Sequence, residues 1–233
     1  SSMMARLFEQ IDLRRGESVV EIGCGSGVVL RWLHGRTEGQ NPLTGLDLNN
    51  YLLDEARTLT GRSGMSDQIT FDNGNAEALP YPDNSFDVVF STTVMEEVNA
   101  AKMMDEALRV AKPGGRVGFV VRGTDLPMIL NIPLPPEERA RYERQARRPE
   151  GDSCASASLY RYFQESGLED VRFGPYVANF RDAYGVVERF TYSGFLTTLD
   201  SDERMAWDAA IQKAHEEGTF LLGWPHHMAV GRK

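Results

Sequence analysis

Apolar residues in the first half of the chain fall alternately into short unbroken runs and helical stripes, which predicts a parallel sheet covered by helices on both faces. Residues 18–22 read as a first strand, 28–34 as the helix after it, and 39–42 as a break before a second strand at 43–47. Leu52, Leu53, Ala56 and Leu59 recur at helical spacing behind a capping asparagine, Asn49 or Asn50. Glycines at 61 and 64 end that helix, 69–72 follows as a third strand, and 75–82 is a loop. The run 86–90, apolar apart from Asp87, suits a central strand buried on both faces. Met103, Met104, Ala107, Leu108 and Val110 form a stripe that stops at Pro113-Gly114-Gly115, after which 116–121 reads as a fifth strand.

The pattern then changes. Residues 125–153 hold five prolines and a charged helical piece, as an insertion or lid would. Leu159, Tyr160, Tyr162 and Phe163 predict a helix ended by Gly167, with a strand at 170–173 behind it. Segments 220–222 and 228–230 form a last strand, and Pro225 between them implies an edge, a bulge or a bend. The expected organisation is one domain over 1–233, with a cofactor-binding half at 1–124 and lid or substrate-cover insertions at 125–155 and 178–217. Neither a repeat nor a linker interrupts it.

Composition narrows the class. The 233 residues are 41% hydrophobic and 25% charged, which suits one large α/β domain, and no apolar run approaches the ~20 residues of a membrane span. The first residues lack the apolar centre of a secretory signal. Cys24 and Cys154 are too far apart for a disulfide framework or a zinc set, so a cytoplasmic location and no metal are expected. A net charge of −9 argues against nucleic acid as a partner, and the arginines of 139–148 are interleaved with Glu137, Glu138 and Glu143 as on a solvated helix face. The pattern fixes no oligomeric state.

The chemistry centres on Val-Val-Glu-Ile-Gly-Cys-Gly-Ser-Gly at 19–27, where a strand meets Gly23, Gly25 and Gly27. Glycine accepts positive φ and has no Cβ, so such a turn can present amide N–H groups to a bound molecule. The dinucleotide fingerprint places glycines first, third and sixth; here Val28 holds the sixth position and the third glycine comes one residue early. Asp47 ends the second strand, where a carboxylate reaches ribose hydroxyls, although a strand-ending Asp also caps turns. Glu21 is an acid in an apolar strand, and its burial calls for a cationic or hydrogen-bonding partner. Asn75-Ala76 offers a side-chain amide and a backbone N–H to an adenine edge, or simply forms a turn. Ser91, at the end of strand four, is expected to face the same crevice.

Four stretches taken together resemble class I S-adenosylmethionine-dependent methyltransferases of the small-molecule type, related to the ubiquinone and menaquinone biosynthesis enzymes. They are the glycine turn, Gly-Leu-Asp-Leu-Asn at 45–49, the segment 74–90, and Glu-Ala-Leu-Arg-Val-Ala-Lys-Pro-Gly-Gly-Arg at 106–116. The resemblance covers roughly residues 5–175. It implies a Rossmann-like seven-stranded sheet in order 3-2-1-4-5-7-6, last strand antiparallel, with helices on both faces and a helical lid. It also implies that Glu21, Gly23, Cys24, Gly25 and Gly27 hold the methionine part of S-adenosylmethionine. Asp47 would bind the ribose, Leu48 would pack on adenine, Asn75 and Ala76 would read its edge, and Ser91 would border the site. Two positions depart from the pattern. Asn75 stands where many relatives carry Asp, and Met95-Glu96-Glu97-Val98 replaces a stretch that often contains histidine.

The implied reaction is in-line methyl transfer to a small-molecule acceptor, leaving S-adenosylhomocysteine. Alignment and exclusion of water do most of the work, and a base is needed only for a protonated nucleophile. Alternation before the last strand turns one of His226 and His227 toward the cofactor side, so either is a candidate base or a packing residue. Glu96 is a substrate-contact candidate, or together with Glu97 a charge at a helix N-terminus. Arg122, Asp125 and Glu188 are further candidates, and Tyr176, Phe180, Tyr184, Phe190, Tyr192 and Phe195 line either an apolar pocket or a core. A noncatalytic cofactor-binding regulator and an NAD-dependent oxidoreductase are the alternatives; the early Gly27 and the Asn75-Ala76 loop count against the second.

Overall fold

The computed structural model describes residues 2–65, 67–143, 151–181 and 199–233. Its elements are α1 (Ser2–Ile11), β1 (Val19–Ile22), α2 (Val28–Arg36), β2 (Leu43–Asp47), α3 (Asn50–Arg62), β3 (Ile69–Asn73), β4 (Phe86–Thr92) and α4 (Ala100–Val110). They continue with β5 (Ala111–Arg122), β6 (Ile129–Asn131), α5 (Pro136–Glu143), α6 (Ser158–Glu165), β7 (Glu169–Phe180), α7 (Ser201–Glu216) and β8 (Leu221–Arg232). Among the described residues, 2–122, 151–176 and 227–233 form one compact unit, and 123–143, 177–181 and 199–226 form another.

The first unit carries the sheet β3-β2-β1-β4-β5-β8, with β7 also paired to β8. Strands β1 to β5 are parallel, and Val19 of β1 lies between Leu43 and Val88 in register. Alternation along each strand feeds two cores. Val20, Ile22, Val89 and Phe119 pack with Met103, Ala107 and Phe163. Val19, Val88, Phe90 and Val120 pack with Leu7, Leu30 and Leu53. Because both faces are covered, the middle strands β1 and β4 are mostly apolar, Glu21 and Asp87 being the charged exceptions ahead of Ser91-Thr92. β8 is antiparallel to β5, since Gly114 N–H donates to the Lys233 carbonyl at 2.6 Å and Lys233 N–H returns to Gly115 at 2.9 Å.

Three expectations are corrected. β5 starts at Ala111, which pairs with Phe86, and a register shift before Val88 absorbs the Lys-Pro-Gly-Gly segment that read as a stop. β8 runs unbroken through Pro225, inside the sheet rather than at its edge; Pro225 has no N–H to pair, and its carbonyl accepts from Gly123 at 2.9 Å. Among the described residues the sheet has eight strands rather than seven, since β6 also pairs antiparallel with residues 221–223.

In the second unit Tyr142, Trp207, Ile211 and Leu222 share a core against which Phe180 packs. Asp200 and Glu203 close a capping box at the start of α7. On α5 Glu137 and Arg141 are exposed, whereas Tyr142 on the same helix is buried in this core. Glu188, Tyr184, Phe190, Tyr192, Phe195 and residues 144–150 lie outside the described residues. Among the described residues no helix is long and apolar enough to cross a membrane.

Candidate cofactor site

The site lies in the first unit, at the carboxyl ends of β1, β2 and β4, where open parallel sheets take ligands. Gly23, Gly25 and Gly27 have φ of 73°, 52° and 72°, in the left-handed region that glycine enters without a Cβ penalty. A Cβ on Gly23 would lie 2.2 Å from a Val94 methyl, and one on Gly27 would lie 2.8 Å from the Phe71 ring. Above Gly25 there is open space: no atom comes within 4 Å of a Cβ built there.

The amides of all three glycines and of Cys24 are already engaged within the protein instead of free for a ligand. Gly23 and Cys24 N–H both donate to the Leu46 carbonyl, Gly27 N–H donates to Cys24, and Gly25 N–H donates to Asp47 Oδ2 at 2.8 Å. The turn is thereby clamped to the end of β2, and bare backbone at Gly25 is what it leaves for a ligand. The Cys24 side chain is buried over Gly45, where a Cβ would meet its sulfur at 2.7 Å, and burial pushes its thiol pKa up.

Asp47 Oδ1 accepts the Asn49 N–H at 2.8 Å, so each carboxylate oxygen holds one amide and retains capacity for further donors. Asn49 also caps α3, its side chain accepting from Tyr51 and Leu52. Beside it Leu48 is 70% exposed, an apolar side chain left mostly uncovered. The loop after β3 hangs from the same point, because Gly74 N–H donates to the Asp47 carbonyl at 3.1 Å. Ala76 is buried, whereas Asn75 is exposed and its Oδ1 accepts the Glu77 N–H at 2.9 Å, leaving one lone pair for another donor.

Glu21 is 1% exposed and its Oε2 has no hydrogen-bond partner, contrary to the partner its burial called for. Burial, and then the nearby Asp47 charge, hold this carboxyl well above the usual range. Ser91 is corrected too. Its hydroxyl is buried and donates to the Ile22 carbonyl at 2.7 Å, tying β4 to β1 rather than lining a crevice.

Glu96 and Glu97 precede the Asn99 cap of α4, and the reading of Glu96 as a charge on a helix end fails. Glu96 is buried, with Oε1 accepting the Arg122 N–H at 2.9 Å. The acid that serves the start of α4 is Glu77, which accepts the Asn99 N–H at 2.8 Å. Of the two histidines, His227 sits with Nδ1 2.6 Å from the Tyr160 hydroxyl, and His226 Nδ1 lies 3.0 Å from the Trp224 carbonyl; both are buried.

Asn73 escaped the sequence reading. It pairs in register with Asp47, and its amide donates to the carbonyls of Asp47 at 3.2 Å and Leu48 at 2.9 Å, holding the cradle's rim. Its signal was register: a polar residue closes β3 where its neighbour closes β2.

Comparison with known proteins agrees with this geometry. Residues 20–119, from β1 into β5, match the family model described as a methyltransferase domain. Fold and matched segment point to one class: residues 20–119 are similar to a methyltransferase domain. It is 34% identical over 126 residues to the methyltransferase GfsG of Streptomyces halstedii, across 52% of this chain and 45% of that protein. It is 30% identical over 168 residues to the 27-O-demethylrifamycin SV methyltransferase of Amycolatopsis mediterranei, across 70% of this chain and 58% of that protein. The chain thus spans about half the length of these curated relatives. The crystal structure of YcgJ from Bacillus subtilis superposes with a TM-score of 0.64 at 18% identity, covering 100% of this chain and 98% of that one, a likeness of fold.

Proposed function

We propose that this chain transfers the methyl group of S-adenosylmethionine to a small-molecule acceptor. The observation that carries the reading is the Glu21–Gly25–Asp47 arrangement: a carboxyl oxygen buried without a partner, open space over a left-handed glycine, and a carboxylate with spare acceptor capacity. These residues fit the implied cofactor. Glu21 would answer its cationic amino-acid end, Gly25 would let it lie against the backbone, and Asp47 would accept from the ribose hydroxyls. Leu48 would cover one face of adenine, with Asn75 and Ala76 at its edge.

When bound, S-adenosylmethionine supplies a methyl group already made electrophilic by the sulfonium. The residues of the chain orient and desolvate; holding two reactants in line is worth ~7–11 kcal/mol, so no covalent intermediate on the protein is required. Asn73, Asn49 and the clamped amides keep Asp47 fixed, which lowers the ordering cost of binding. The relative from Amycolatopsis is named for a demethylated small molecule, and an acceptor of that general kind is the reading carried over. Two buried free thiols suit a reducing compartment such as the cytoplasm.

Incubation with S-adenosylmethionine labelled in the methyl carbon, against a panel of hydroxylated and amine-bearing metabolites, tests the proposal. The expected result is label in an acceptor and stoichiometric S-adenosylhomocysteine. Cofactor binding with no transfer across the panel favours the noncatalytic regulator instead.

A further inference from the structure

A cavity in the first unit, of about 490 Å³, opens between the loops that follow β3 and β4 and the segment before α6. None of its wall residues belongs to the candidate cofactor site. Glu77, Glu96, Glu97 and Asp152 contribute carboxylates and Lys102 one ammonium, with Asn99 between them. Part of this charge is already answered within the protein: Glu77 Oε1 accepts from Asn99 N–H, and its Oε2 stands 3.5 Å from Lys102 Nζ.

Glu96 is different. It is 4% exposed, Oε1 takes the Arg122 N–H, the Arg122 guanidinium stays 3.8 Å away, and Oε2 has no hydrogen-bond partner. An ionised carboxyl buried with an oxygen unanswered costs several kcal/mol, and the observed environment raises its pKa accordingly, burial being the largest cause. Such a group is retained at a disadvantage unless something outside the chain completes it. The wall charges favour a cation. No group of three His, Cys, Asp or Glu among the described residues could hold a metal ion, and Lys102 stands in the wall, which selects an organic ammonium over a metal.

We propose that this pocket is the subsite for an ammonium group on the methyl acceptor, with Glu96 as its buried anchor and Asp152 on its open side. The inference rests on the methyltransferase reading, and it names the acceptor class as amine-bearing.

Amide NMR spectra of the full chain, with and without saturating S-adenosylhomocysteine, would be followed while n-butylammonium chloride is titrated in, with n-butanol as the uncharged control. Butylammonium is expected to move the amides of Glu96, Glu97, Asn99, Lys102 and Asp152 with either sample, and butanol to leave them still. Glu96→Gln and Asp152→Asn should each weaken the effect about fivefold, on the order of a charge-assisted hydrogen bond at a half-open site. Asp152 is exposed, so its variant keeps the test alive if Glu96→Gln does not fold. The subsite is overturned by a silent pocket, by equal response to butanol, by two variants that bind as the parent does, or by competition from magnesium chloride. Loss of the response once S-adenosylhomocysteine is bound also overturns it, since the pocket would then be the cofactor's. Failure of S-adenosylhomocysteine to bind at all defeats the reading underneath instead, and the two failures are distinguished in the same samples.

Discussion

Glu21 is kept at the centre of the sheet at a cost to the free protein, and the sign of that cost is testable. Its carboxyl sits well above its ordinary value of 4.5 because of burial and then the Asp47 charge. Below about 4.5 the folded and unfolded chains both carry the proton, so the group is neutral to stability. As pH rises beyond that, the unfolded chain releases the proton while the folded chain keeps it, and stability falls. Glu21→Gln removes the penalty. The cofactor-free variant should melt roughly 2–4 °C above the parent at pH 7, the shift of ~1 kcal/mol in a domain of this size, and the gap should close near pH 4. S-adenosylmethionine binding should weaken in the same variant. A Gln variant less stable than the parent at pH 7 would show that Glu21 has a partner in the folded chain. The acid itself was legible, as a lone charge in an apolar strand. Its lack of a partner was not, because satisfaction of a buried group depends on which side chains three strands bring together.

At the scale of elements, the β1–α2 turn does two separable jobs. Gly23 permits close packing under Val94, whereas Gly25 leaves space open. Gly23→Ala combines a left-handed backbone penalty of ~1–2 kcal/mol with a methyl driven into Val94, and should lower the melting temperature by several degrees. Gly25→Ala carries the backbone penalty alone and should stay the more stable of the two, yet lose more of its cofactor affinity. Thermal melts and titrations on both variants check this, and an equal loss of affinity would put the two glycines in one role. Strands β1 to β4 and the helices between them were readable because each has one short, mainly apolar run or one stripe. β5 was shortened in the reading, since Pro113-Gly114-Gly115 looks like a terminus when it is a bulge inside a paired strand. Ser91 was read as a ligand neighbour from its place at a strand end, but its inward hydrogen bond to Ile22 depends on the β1–β4 register, which no local pattern records.

For the whole molecule, the order of the motifs was more informative than any one of them. A glycine turn alone is shared with nicotinamide-binding folds; the acid at 47, the loop at 75–76 and the helix running into Pro-Gly-Gly at 113–115 together mark the methyltransferase domain that residues 20–119 match. In the second half α6, the start of β7 and β8 were legible from their apolar positions, whereas the short β6 and α7 gain their definition from a separate core around Trp207 and Tyr142. The most direct test of the account is calorimetric titration of the parent chain and Asp47→Ala with S-adenosylmethionine, S-adenosylhomocysteine and NAD. The account predicts one-to-one binding of the first two by the parent, none of NAD, and at least a tenfold loss in the variant, about 1.4 kcal/mol for its charge-assisted hydrogen bonds. Binding of NAD alone, or an affinity for S-adenosylmethionine unchanged by Asp47→Ala, would contradict it.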